Sequence, residues 1–124
     1  MPNVPSLPGF KDVMLTYFNE VWSIGRLLHR AFAVDLGVRP DFFEDKFDRP
    51  LATLRLLHYP PRPAKVESGQ LGAGAHTDYG CITLLATDDA GGLEVKTRGG
   101  EWVSAPFVPG AFVCNIGDCL MRWT

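Results

Sequence analysis

Apolar side chains recur at helical spacing from Phe10 to about Leu36. Val13, Met14, Tyr17, Phe18, Val21, Trp22, Leu28 and Phe32 make an i, i+3, i+4 stripe, while Lys11, Asp12, Asn19, Glu20, Arg26 and Arg30 fall largely elsewhere around the wheel. The spacing predicts one long helix, preceded by a proline-rich extended lead-in over residues 1–9 and stopped by Gly37 at the C′ position. Pro40 starts a shorter helical turn over 41–47, with acids at its N-terminal end. From Ala52 the pattern shortens to β-type runs broken by Gly, Pro and Asp, which predicts strands at 52–59, 75–78, 81–87, 92–97, 102–104 and 111–116. Asp88-Asp89-Ala90-Gly91-Gly92 and Arg98-Gly99-Gly100 read as turns between them. A helical region over 1–50 followed by strands over 51–124 reads as layers of a single α+β, mainly β domain.

The size fits that reading, since 124 residues are enough for one domain and too few for two. Hydrophobic types at 46% and charged types at 21% place the chain among globular proteins and exclude a disordered or collagen-like one. A net charge of -2 offers no basic footprint for nucleic acid or anionic lipid. The longest apolar runs are far short of the roughly 18 residues that span a bilayer, and no signal-peptide pattern opens the chain. The expectation is a cytoplasmic protein with neither membrane nor nucleic-acid partners. Cys81, Cys114 and Cys119 are odd in number and lack CxxC spacing, which argues for reduced thiols over disulfides or a zinc knuckle. Cys81 and Cys114 sit in apolar stretches and read as buried and inert.

The chemistry concentrates at His76-Thr77-Asp78. On an extended segment positions i and i+2 point to one face, so an imidazole and a carboxylate can grip one metal ion. Such a donor pair suits Fe(II), Mn(II) or Zn(II), and two His with one carboxylate make the triad of non-haem Fe(II) oxygenases. His29, inside the long helix, and His58 read as packing or surface residues and not as the third ligand. Asp118, after Gly117, reads as a turn former. Gly72-Ala73-Gly74 lacks the third glycine and following helix of a dinucleotide fingerprint. A zinc hydrolase finds no HExxH or HxxEH to support it.

The surrounding stretches give the motif its context: Leu54-Arg55-Leu56-Leu57-His58-Tyr59-Pro60-Pro61, Gly74-Ala75-His76-Thr77-Asp78, Gly91-Gly92-Leu93-Glu94-Val95, and Pro109-Gly110-Ala111-Phe112-Val113-Cys114-Asn115-Ile116-Gly117-Asp118. In order and spacing they resemble the isopenicillin N synthase-like family of Fe(II)/2-oxoglutarate-dependent dioxygenases, from the long helix to Trp123-Thr124. The resemblance implies a double-stranded β-helix (jelly roll), here partial, preceded by the long helix. It implies His76 and Asp78 as iron ligands and Tyr59 as a contact for 2-oxoglutarate. Leu57 departs from the Asn that several plant members carry two positions before that tyrosine. By alternation Thr83, Leu85 and Thr87 share a face, and by resemblance that face lines the substrate pocket. The implied reaction uses dioxygen, decarboxylates 2-oxoglutarate to succinate and oxidises a C–H bond of a small molecule.

The family's distal iron-binding His and its Arg-x-Ser clamp for 2-oxoglutarate would follow Trp123-Thr124, so the sequence reads as the central fragment of a longer enzyme. Six short runs fall below the eight strands of a jelly roll, and uncovered strand edges predict self-association. The alternatives are a 2-oxoglutarate-independent iron oxidase of the same family and an inactive fragment or interaction module. These residues alone are expected to give little or no 2-oxoglutarate-dependent succinate, and robust succinate formation by the purified chain would contradict this.

Overall fold

In the computed structural model, residues 4–61, 65 and 69–124 are described. Contacts divide the chain into two compact units, Met1–His76 and Thr77–Thr124, a boundary later than the helix-to-strand change at residue 51.

The first unit is built on α1 (Phe10–Asp35), 26 residues long. Gly9 precedes it in the left-handed region and gives no side-chain cap. Its C-terminus closes as the sequence predicts. Gly37, at φ 71°, donates its N–H to Val34 O at 3.0 Å, and Val38 N–H reaches Ala33 O at 2.9 Å. This is a Schellman closure, which satisfies carbonyls the helix itself leaves open. The face that leaves solvent runs Phe10, Met14, Phe18, Val21, Trp22, Gly25, Leu28, His29, Phe32 and Ala33. Val13 and Tyr17 of the expected stripe lie outside it and are exposed. The 3-10 helix η1 (Glu44–Phe47) packs on this face within the region expected to form a helical turn. Phe47 meets Trp22 edge-on with ring centroids 5.6 Å apart. Arg26 and Arg30 both pair with Glu44 at partly exposed positions, where ion pairs contribute little beyond orientation.

Among the described residues of this unit His29 is the buried polar group, 5% exposed. Its Nδ1 donates to Gly25 O at 2.8 Å, and its ring meets Phe32, Phe43 and Phe47 edge-on at 6.0, 5.6 and 4.8 Å. It is a packing histidine, as its helical position implied.

The second unit holds two short antiparallel ladders: β1 (Ile82–Leu85) with β4 (Val113–Ile116), and β2 (Glu94–Lys96) with β3 (Trp102–Ser104). The β2–β3 pair is a hairpin whose turn uses Gly100 at φ 91° and the Thr97 hydroxyl, which accepts from Glu101 N–H at 3.1 Å. A six-residue helix, α2 (Asp118–Trp123), follows β4 and buries Leu120 to 2% exposure.

Three expectations need correction. Residues 52–59 and 75–78 form no strand and join no ladder among the described residues, because β-type side chains make a strand only where a neighbouring strand accepts their backbone groups. The chain is also less β-rich than expected. Among the described residues the four strands have 4, 3, 3 and 4 residues against 26 in α1, and no barrel closes. Finally, Cys114 is exposed, since β4 is uncovered over its last three residues, while Cys81 is half-buried.

The aromatic packing around His29 gives a direct test. Phe43 is 6% exposed, and Phe43→Ala is expected to cost about 3–5 kcal/mol, read as a lowered denaturation midpoint of the helical signal. A cost below about 1 kcal/mol would show that this contact does not hold η1 on α1.

Candidate functional site

Asp78 is the best-organised polar side chain of the second unit. β1 and β4 pair antiparallel in a register that sets Thr83 opposite Asn115, with Leu84 opposite Cys114 and Leu85 opposite Val113. Both members of the Thr83–Asn115 rung reach the same carboxylate oxygen. Thr83 Oγ1 donates to Asp78 Oδ2 at 2.6 Å, and Asn115 Nδ2 donates to it at 2.9 Å. Two donors converging on one carboxylate oxygen restrain the rotamer of the group.

The backbone around Asp78 is pinned to the segment that follows β4. Asp118 N–H donates to Asp78 O at 2.7 Å, Gly117 N–H to Cys81 O at 2.8 Å, and Cys119 N–H to Gly80 O at 3.2 Å. Gly117 is required by space rather than by dihedral, since its φ of -91° suits any residue. A methyl group there would overlap the Gly80 carbonyl oxygen and lie 2.7 Å from its carbon and 2.9 Å from Asp78 O. The Asp118 carboxylate accepts from Thr77 Oγ1 at 2.9 Å. Asp118 is thus the first residue of α2, where its charge suits the helix N-terminus, and it braces the residue before Asp78. The turn-forming role expected from sequence understates it.

In the first unit, His76 is exposed and its Nδ1 lies 2.8 Å from Gly74 O. A carbonyl only accepts, so Nδ1 carries a hydrogen, and in the neutral imidazole the lone pair belongs to Nε2. This is the tautomer usual in a metal-ligating histidine held by a backbone carbonyl. Tyr59 is 56% exposed and lays its ring against Gly72, where a Cβ would come 3.1 Å from Cδ1. Of the expected pocket residues, Thr83 and Leu85 lie on β1 and Thr87 just past its end, all half-buried.

The donor chemistry suits Fe(II): one imidazole and one carboxylate two residues apart in sequence, each oriented by a second hydrogen-bonding partner. Among the described residues no group of three or more His, Cys, Asp or Glu gathers around a common point. Desolvation, then the neighbouring Cys119, pushes the Cys81 thiol up, and partial desolvation does the same to Cys114, so neither is favoured as a thiolate. Sequence reasoning missed Asn115, Thr77 and Gly117. Asn115 stands in the Asn-Ile-Gly-Asp run that carries the family resemblance, but its partner follows only from the β1–β4 register.

Comparison with known proteins agrees in kind. The sequence profile of the 2OG-Fe(II) oxygenase superfamily matches residues 50–124. A probable iron/ascorbate oxidoreductase of Dictyostelium discoideum is 39% identical over 133 residues, covering 94% of this chain and 36% of its own length. A homoarginine-6-hydroxylase of Glycine max is 42% identical over 119 residues, covering 91% of this chain and 36% of its own. The chain therefore spans about a third of the length of these curated relatives. Among solved structures, a full-length Neurospora crassa protein in complex with alpha-KG superposes with a TM-score of 0.76 at 29% identity, covering 99% of this chain and 39% of that one. The same protein with alpha-KG and 5-formyluracil gives 0.75.

The Gly117 contact supplies the test. Gly117→Ala is expected to cost about 3 kcal/mol or more, because the added methyl must displace backbone that is already hydrogen-bonded. Thermal or urea unfolding reads it, and an unchanged midpoint would mean that the approach to Gly80 is looser than described.

Proposed function

This chain belongs to the 2OG-Fe(II) oxygenase superfamily, and from that premise we propose that it carries the His-x-Asp part of an Fe(II) site in an enzyme that couples decarboxylation of 2-oxoglutarate to oxidation of a small molecule. The observation that carries the reading is the double hydrogen bond from Thr83 and Asn115 to Asp78. A carboxylate on a protein surface needs no such restraint, whereas a metal ligand benefits from arriving already oriented.

His76 through Nε2 and Asp78 through its carboxylate would hold the metal. Fe(II) when bound supplies the redox chemistry with dioxygen and 2-oxoglutarate. The residues of this chain have four further tasks. Gly74 O holds the His76 ring by accepting from Nδ1. Thr83 and Asn115 hold the Asp78 carboxylate. Tyr59, through its hydroxyl, would orient 2-oxoglutarate. Leu85, on the Thr83 face of β1, would help exclude water from the small-molecule substrate, with Thr87 extending that wall. No described helix is long and apolar enough to cross a membrane.

The test is binding rather than turnover. With Mn(II) in place of Fe(II), adding 2-oxoglutarate is expected to change the tryptophan fluorescence of the chain only when metal is present, and His76→Ala is expected to abolish the change. A response without metal, or one that His76→Ala leaves intact, would overturn the assignment.

A further inference from the structure

We infer that Thr83 and Asn115 act as a matched pair of positioning residues for the metal, one from each strand of the β1–β4 ladder, and that they set metal affinity through Asp78 without touching the ion. The inference rests on the assignment of Asp78 as a ligand and goes beyond it by naming what tunes that ligand.

The argument begins with register. Thr83 and Asn115 are direct cross-strand partners, so their side chains leave the ladder on the same face. Residues so paired commonly bond to each other. Here both instead donate to a third residue, at 2.6 and 2.9 Å, and to the same oxygen of it. Both donors are neutral, so they orient the carboxylate and draw charge to Oδ2 without cancelling it. A lysine or arginine in either place would pair with the carboxylate and compete with a cation for it. The backbone of Asp78 is held separately, by Asp118 N–H on its carbonyl. Removing Thr83 Oγ1 or Asn115 Nδ2 therefore takes away one restraint on the side-chain torsions of Asp78 while leaving the chain path in place. Each lost donor lets the carboxylate sample rotamers that must be frozen again on binding, and loss of such partners typically lowers metal affinity about 10- to 100-fold.

The pair also reads differently from its neighbours on the same strands. Leu84 opposite Cys114 and Leu85 opposite Val113 offer no comparable polar donors, so only this rung can perform the task. Thr83, by sequence a candidate for substrate contact, has its hydroxyl committed to Asp78.

The experiment is a Co(II) titration of the chain followed by the visible absorption of the bound ion, which reports both affinity and coordination. Thr83→Val, which keeps shape and removes the hydroxyl, and Asn115→Ala are each expected to weaken Co(II) binding about 10- to 100-fold. Thr83→Ser, which restores the donor, is expected to stay within about threefold of the parent chain, and that rescue separates a donor's role from a packing role. Unfolding midpoints without metal check that the variants compared are folded. Asn115 is exposed, so Asn115→Ala carries the test if Thr83→Val does not fold. Wild-type affinity in Asn115→Ala, or equal loss in Thr83→Ser and Thr83→Val, would overturn the inference. His76→Ala in the same titration tests the underlying assignment: if it binds Co(II) as the parent does, the assignment fails and the inference with it. If His76→Ala alone weakens binding, only the inference fails.

Discussion

The register of one short ladder governs the site: β1 against β4, with Thr83 facing Asn115 across it. Because strand side chains alternate between faces, a slip of β4 by one residue would turn Asn115 away and bring Cys114 or Ile116 opposite Thr83 instead. Four paired residues are few to specify a register. The extra constraint comes from the chain after β4, where Gly117, Asp118 and Cys119 donate three successive N–H groups to Cys81, Asp78 and Gly80. The ladder and this backbone clamp hold the same register from two ends.

Gly117 makes the clamp feasible. Its missing Cβ lets two backbone segments approach to a distance that no other residue allows, and the approach brings Asp118 within reach of the Thr77 hydroxyl. Two acids with different tasks result. Asp118 sits at the start of α2 and braces backbone, while Asp78 keeps its carboxylate under two neutral donors. The division follows from their partners rather than from their chemistry, since the two side chains are identical.

Much of this was legible in the sequence, and the exceptions have physical causes. The limits of α1, its Gly37 stop and the 98–100 turn follow from local rules, helical period and glycine dihedrals, and the structure has them where those rules put them. Strands 102–104 and the centres of 81–87, 92–97 and 111–116 also appear. Residues 52–59 and 75–78 look equally β-like but form no ladder among the described residues, because a strand depends on its neighbour and periodicity cannot supply one. Val13 and Tyr17 show the same limit for helices, since apolar character placed them in the stripe while exposure follows from what packs opposite. At the site, His76 and Asp78 are visible as a spaced pair of metal-binding residue types. Asn115, 37 residues beyond Asp78, becomes visible only when β1 and β4 are brought together, because long-range pairing leaves no local trace.

The central claim is that Asp78 is held in advance as a metal ligand by the β1–β4 rung. Its most direct test is residue-by-residue loss of backbone amide signals in nuclear magnetic resonance spectra as substoichiometric Mn(II) is added. Paramagnetic broadening should appear first around His76 and Asp78, then at Thr83 and Asn115, with β2 and β3 affected later. Broadening that starts at the exposed acids Asp88 and Asp89 and leaves Asp78 sharp would contradict it.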